Sequence, residues 1–119
     1  MADIPELDAI LKEIEGLEGV SGAFLVSRSG MYVAGNLPPG VDTDIYASMF
    51  AVLLGSADTA TSQLKEHMDA VAVYLRKSRL VVYPNGPKAL LVLRVGNDVR
   101  VRRLGKTLKE YAERLEAVL

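Results

Sequence analysis

A helix starting at Asp42 or Thr43 and running to about Leu64 would carry Ile45, Ala47, Met49, Phe50, Ala51, Val52, Leu53, Leu54 and Ala57, which wrap most of the way around its axis. A helix on the outside of a monomer keeps one polar face. The first three turns of this one are too apolar for that, so it needs cover on two sides. Small residues gather on it as well, with Ala47, Ala51 and Gly55 spaced four apart among Ser48, Ser56, Ala57 and Ala60. An interior glycine costs about 0.5–1 kcal/mol relative to alanine, so Gly55 reads as a place where another backbone comes close. One face belongs to the domain's own sheet. Either loops cover the other, or a symmetry mate does; closed two-fold dimers are the commonest soluble oligomers, which favours the mate.

The flanking segments supply the sheet and two more helices. Asp3 followed by Glu6 has capping-box spacing, and Ile4, Leu7, Ile10, Leu11, Ile14 and Leu17 then recur at helical intervals, predicting a helix over about 4–17. Gly19 and Gly22 end it. Ala23–Ser27 and Met31–Ala34 form two short runs split by Arg28-Ser29-Gly30, a tight hairpin, and Leu37-Pro38-Pro39-Gly40 is a stiff loop before the long helix. Strand-like runs follow at 70–75, 80–83 and 89–95, with Asn85-Gly86 predicting a type I′ turn between the last two. Val101, Leu104, Leu108, Tyr111, Ala112, Leu115 and Val118 predict a closing amphipathic helix, although Val99–Arg102 alone would also suit a strand.

The order helix, two strands, helix, three strands, helix, with short hairpin connections, implies a mostly antiparallel five-stranded sheet. The long crossover helix covers one face and the terminal helices the other, an α+β three-layer sandwich. At 119 residues without a linker or low-complexity tract, the chain reads as one domain over 1–119. The run Ala70–Leu75 is an apolar edge candidate whose nearby blunting charges are Arg76, Lys77 and Arg79, and pairing two such edges would hide them.

Taken together, Gly19–Gly30, the Asp42-Thr43-Asp44 opening of a small-residue helix, the strand pair around Pro84-Asn85-Gly86-Pro87 and the last helix resemble the roadblock/dynein light chain family. The resemblance covers nearly the whole chain and rests on element order, since the family has no catalytic signature. It implies a roadblock/profilin-like fold, a homodimer with a sheet continuous across the two-fold axis, and two long helices side by side. In members similar to bacterial polarity co-regulators, that paired surface receives a small Ras-like GTPase; other members are motor light chains or scaffold subunits. The implied interface draws on Ala47, Ala51, Leu54, Gly55, Asp58, Val71, Val73 and Leu75, and the partner surface on Met49, Phe50, Ala51 and Leu54. The alternative is a structural adaptor or motor light-chain-like subunit indifferent to nucleotide.

Chemistry by the chain itself finds little support. Without cysteine there is no disulfide, thiolate zinc site or cysteine nucleophile. His67, the single histidine, sits in a polar stretch with Glu66 and Asp69 and reads as a solvated loop residue; Asp42 and Asp44 read as helix caps. Gly55-Ser56 lacks the strand–turn–helix context of a nucleophile elbow, and neither GxxxxGK[ST] nor GxGxxG occurs. No enzymatic activity, cofactor or metal is expected. A net charge of −1 argues against nucleic acid as a partner. Residues 3–18 hold six acids (Asp3, Glu6, Asp8, Glu13, Glu15, Glu18) against Lys12, and residues 94–109 six bases (Arg94, Arg100, Arg102, Arg103, Lys106, Lys109) against Asp98. One reading is a basic patch for anionic lipid or nucleic acid; if the terminal helices share one sheet face, the two sets lie close and largely offset each other, and this second reading is preferred. The acidic amino terminus lacks a signal-peptide pattern, and the longest apolar run, Tyr46–Leu54, is far short of the roughly 20 residues that cross a bilayer. A cytoplasmic protein without direct membrane insertion is the expectation.

Overall fold

Asp3 opens the first helix as its spacing predicts. In the computed structural model, which describes residues 3–119 and leaves Met1 and Ala2 outside, Asp3 Oδ1 accepts the Glu6 N–H at 3.1 Å. Helix α1 (Ile4–Glu15) buries Leu7, Ile10, Leu11 and Ile14. Strand β1 (Val20–Ser27) and strand β2 (Tyr32–Gly35) follow. β1 begins earlier than its apolar run, because Val20 pairs with Val95 and Ser21 Oγ donates to the Arg94 carbonyl. Helix α2 (Thr43–Ser62) is capped by Asp42, whose Oδ1 accepts the Ile45 N–H at 3.0 Å. Strands β3 (Val71–Tyr74), β4 (Arg79–Asn85) and β5 (Ala89–Val95) precede helix α3 (Val101–Val118). The ambiguous Val99–Arg102 segment thus leads into the helix and forms no strand.

All pairings are antiparallel, in the order β2-β1-β5-β4-β3. Side-chain alternation divides two cores. Phe24, Val26, Val82, Leu90 and Val92 point to α2, while Ala23, Leu25, Val81, Leu91 and Leu93 point to α1 and α3. The three-layer α+β sandwich read from the sequence is the observed architecture.

One local reading needs correction. Asn85 is not a turn residue; it ends β4 opposite Ala89, and the connection is Gly86-Pro87-Lys88, in which only Gly86 takes a positive φ, of +71°. A two-residue I′ turn would restart the ladder at Pro87, which has no N–H to give. Asn85 is instead buried, donating Nδ2 to the Ala112 carbonyl at 3.2 Å. The acidic and basic segments come together with a single close contact. α1 and α3 share a sheet face, yet the one ion pair among the described residues is Glu13–Arg114, at 2.7 Å. The guanidinium, chiefly by hydrogen bonding, holds the Glu13 carboxyl below its ordinary range.

Tyr83 ties α3 to the sheet by donating its hydroxyl to the Val101 carbonyl at 3.3 Å, and burial pushes the phenol up to about 12. The folded value lies above the unfolded one, near 10, so this contribution is whole below about pH 10 and lost as pH rises toward 12. Tyr83→Phe should therefore flatten the loss of stability over that window in urea titrations, while costing about 0.5–1.5 kcal/mol at neutral pH for the lost hydrogen bond. An unchanged alkaline limb would remove Tyr83 from this role.

Candidate interaction surface on the second helix

The rotation of α2 about its axis is set by aromatic packing. Phe50 stands edge-on to Phe24 at 5.8 Å and to Tyr46 at 4.9 Å, and Ala47 and Leu54 sit beside it against the sheet. Burial raises the Tyr46 phenol above its usual value. With that face committed, Ile45, Met49 and Val52, at spacing i, i+4, i+7, point outward and are 63%, 55% and 58% exposed. No charged residue falls between Asp44 and Asp58 on this helix. The result is an uncharged stripe over its first three turns.

The β1–β2 turn extends this surface. Gly30, at φ +99°, lies so close to α2 that a Cβ there would be 3.3 Å from Ser48 Cα and 3.7 Å from Ala51 Cβ. This contact brings Met31, 70% exposed, next to Ile45, where the two line a shallow cleft of about 440 Å³ together with Tyr32 and Ser48. On the other side of the molecule, β3 hydrogen-bonds β4 along one edge and is the last strand of the sheet, as its sequence suggested.

The sequence-predicted residues fall into distinct groups. Ala47, Leu54 and Phe50 are 0%, 0% and 7% exposed against the protomer's own sheet, so these three cannot form an external surface; the apolar pattern had two faces, and the aromatic cluster selects this one for the core. Met49 and Gly55 are exposed, Ala51 is half-buried beneath the β1–β2 turn, and Asp58 is exposed one turn further on. A Cβ on Gly55 would meet nothing within 4 Å, so no backbone of the same chain explains the glycine. Val71 and Val73 are half-buried on the α2 side of β3, and Leu75 is exposed just past the strand. Sequence reasoning assigned no role to Ile45, Val52 or Met31 at this surface. The signal for the first two was present in their spacing with Met49.

Other candidate chemistry stays dispersed. His67 is exposed, and among the described residues no group of three His, Cys, Asp or Glu side chains converges on a metal-sized site. Arg28 donates Nη2 to the Gly86 carbonyl at 3.0 Å, tying the β1–β2 turn to the β4–β5 connection. None of the described helices is long and apolar enough to cross a membrane.

A five-stranded antiparallel sheet between one long crossover helix and two terminal helices defines the roadblock/profilin-like class. The Roadblock/LC7 domain family profile matches residues 6–94, and the chain belongs to that family. A protein of Methanocaldococcus jannaschii, described as uncharacterized protein MJ1340, is 23% identical over 113 residues, which is 94% of this chain and 98% of its own. The gliding protein mglB of Thermus thermophilus superposes with a TM-score of 0.79 at 21% identity, covering 96% of this chain and 88% of that one. A Roadblock/LC7 domain of Streptomyces avermitilis gives 0.81 at 19%, covering 94% and 96%. Members of the family are in general regulators or adaptors rather than catalysts.

Proposed function

We propose that this chain is a non-enzymatic homodimeric platform for a small Ras-like GTPase. The observation that carries this reading is the outward stripe of Ile45, Met49 and Val52, a surface without charge that water solvates poorly. Two copies of α2 pack across a two-fold axis along Gly55 and the neighbouring stripe, and the free β3 edges, with Val71 and Val73, join the two sheets. What remains exposed of Met49, Ile45 and Met31 then forms a surface shared by both copies. One GTPase docks there per dimer, in cytoplasm.

Stimulated hydrolysis on such a platform needs no catalytic group from this chain, because a partner can act by ordering the GTPase's own residues. The test is a pulldown with GDP- and GTP-loaded small GTPases, followed by titration calorimetry. Nucleotide-dependent capture at one GTPase per dimer is the expected result. Capture independent of nucleotide would point instead to an adaptor, and one GTPase per protomer would move the site off the axis.

Gly55→Leu separates the dimer from the fold. Within a protomer a Cβ at this exposed position meets nothing within 4 Å, and losing an interior glycine should leave the helix unharmed or more stable. Across the axis it should obstruct close approach and weaken association by about 1–3 kcal/mol, as overpacking does. Equilibrium sedimentation that finds the wild-type association constant would place the interface elsewhere.

A further inference from the structure

Of the acids at α1, three are engaged away from α3, and Glu6 makes no side-chain bond among the described residues. Asp3 caps its own helix, Asp8 accepts the Gly35 N–H at 3.1 Å, Glu15 accepts from Asn36, and Glu13 alone reaches across, to Arg114. Arg100, Arg102 and Arg103 at the start of α3 are left exposed and outside any ion pair among the described residues. Two hydrogen bonds bring more cations to the same end. Arg79 Nη1 donates to the Val99 carbonyl at 2.9 Å, and Asn97 Nδ2 donates to the Arg76 carbonyl at 3.1 Å, seating the Arg76-Lys77 turn beside the start of α3. The acids here are Asp98 and, through the bond between Gly96 and Gly19, the neighbouring Glu18.

The order of charges along α3 opposes the helix's own field. The N-terminus of a helix carries about half a positive charge, so acids suit its first turn and bases its last. α3 has no acid in the first turn and no base in the last, and its N-cap Arg100 makes no side-chain capping bond. Glu110, Glu113 and Glu116 lie toward the opposite end, with Lys109 and Arg114 among them. Proteins break such local rules chiefly at functional or strained sites. In a chain of net charge −1, six of the fourteen Lys and Arg residues thus gather at one end.

We propose that this end of the molecule, built from the Arg76-Lys77 turn, Arg79 and the Arg100, Arg102 and Arg103 start of α3, is an electrostatic docking surface for an anionic lipid bilayer. A lipid plane fits better than a nucleic acid for two reasons. The cations are spread over a turn, a strand start and a helix start, and do not lie along one element that could enter a groove. Tyr74 is the aromatic residue of β3 next to them, and its ring is already stacked by the Arg79 guanidinium at 4.5 Å, so it is no free platform for a base. Attraction to anionic headgroups, by contrast, needs only several Lys and Arg side chains within a Debye length of the surface. The patch lies on the α3 side of the sheet, leaving the outward stripe of α2 uncovered. It is independent of what α2 binds.

The test is cosedimentation of the full chain with phosphatidylcholine vesicles, with vesicles mixed with phosphatidylglycerol, and a parallel titration with a short DNA duplex. Binding is expected to the anionic vesicles alone, and to fade as salt rises from about 0.05 to 0.5 M. Each Lys or Arg near an anionic leaflet strengthens attachment about fivefold, so Arg102→Glu with Arg103→Glu should weaken it by at least ~25-fold. The same pair should melt no lower than wild type, since acids in the first turn agree with the helix field. If it melts lower, Arg76→Glu with Lys77→Glu, on a turn outside the helix, decides: retained vesicle binding in that variant overturns the proposal. So does absence of binding, equal binding to neutral vesicles, or tighter binding to the duplex.

Discussion

Val52→Asp is expected to yield a folded monomer, sedimenting at 12.9 kDa with the wild-type circular dichroism spectrum. Val52 is 58% exposed in the protomer and faces away from Phe50, so the carboxylate enters water there and removes no core contact. In the proposed dimer the substitution acts twice across the axis. Burying a valine contributes about 1.5–3 kcal/mol, and with two copies lost plus two facing carboxylates the deficit reaches about 4 kcal/mol or more, a thousandfold in the dissociation constant. Capture of the GTPase should vanish with the dimer. Val52→Asp that still sediments as a dimer would take α2 out of the interface, whatever the behaviour of the β3 edge.

The second large effect is on folding. Gly35, at φ +105°, ends β2 where it crosses Phe24 of β1, and a Cβ there would lie 2.4 Å from the Ala23 carbonyl oxygen and 2.5 Å from Phe24 Cα. Both neighbours are backbone of a central strand and cannot swing aside. Gly35 also donates its N–H to Asp8 on α1, so displacing it loosens the tie between helix and sheet. Strain at a disfavoured φ costs about 1–3 kcal/mol and overpacking a similar amount, so Gly35→Val should lose about 4 kcal/mol, a large share of a typical domain's 5–15. Gly40→Ala is the control. It shares a positive φ of +85° but meets nothing within 4 Å, and should lose only the backbone part. Urea midpoints for the two variants that coincide would show that the close approach at Phe24 does not matter.

Element order, both helix caps and the edge position of β3 were legible because each rests on local chemistry or on a short connection. Asp3 and Asp42 have one stable use at their positions, and each makes it. Which face of α2 meets the sheet was not legible. Ala47, Phe50 and Leu54 form one apolar set and Ile45, Met49 and Val52 another, and periodicity has no means of ranking them; the choice is made by Phe24, distant in sequence. Asn85 misled for a related reason. Asn-Gly favours a two-residue turn in isolation, but Pro87 lacks the hydrogen needed to resume pairing and the Ala112 carbonyl offers the amide a buried partner. The scarcity of ion pairs between the charge segments was not legible either, because proximity of two helices does not align their side chains, and three of the acids at α1 have nearer partners.

The place of β5 in the sheet also governs how the chain comes together in time. β5 lies between β1 and β4, so β1 receives its inner neighbour only when Ala89–Val95 has been made, and Val20 must find Val95 across most of the sequence. Closing so long a loop precedes any reward from the contacts it allows, which slows folding relative to a helical bundle of equal length. Until then a growing chain carries α2 with the Phe24 side of the sheet incomplete, and its apolar faces bare on both sides. The segment proposed to serve association is thus bare while the chain is still on the ribosome, and a second nascent copy would compete for it before β5 arrives.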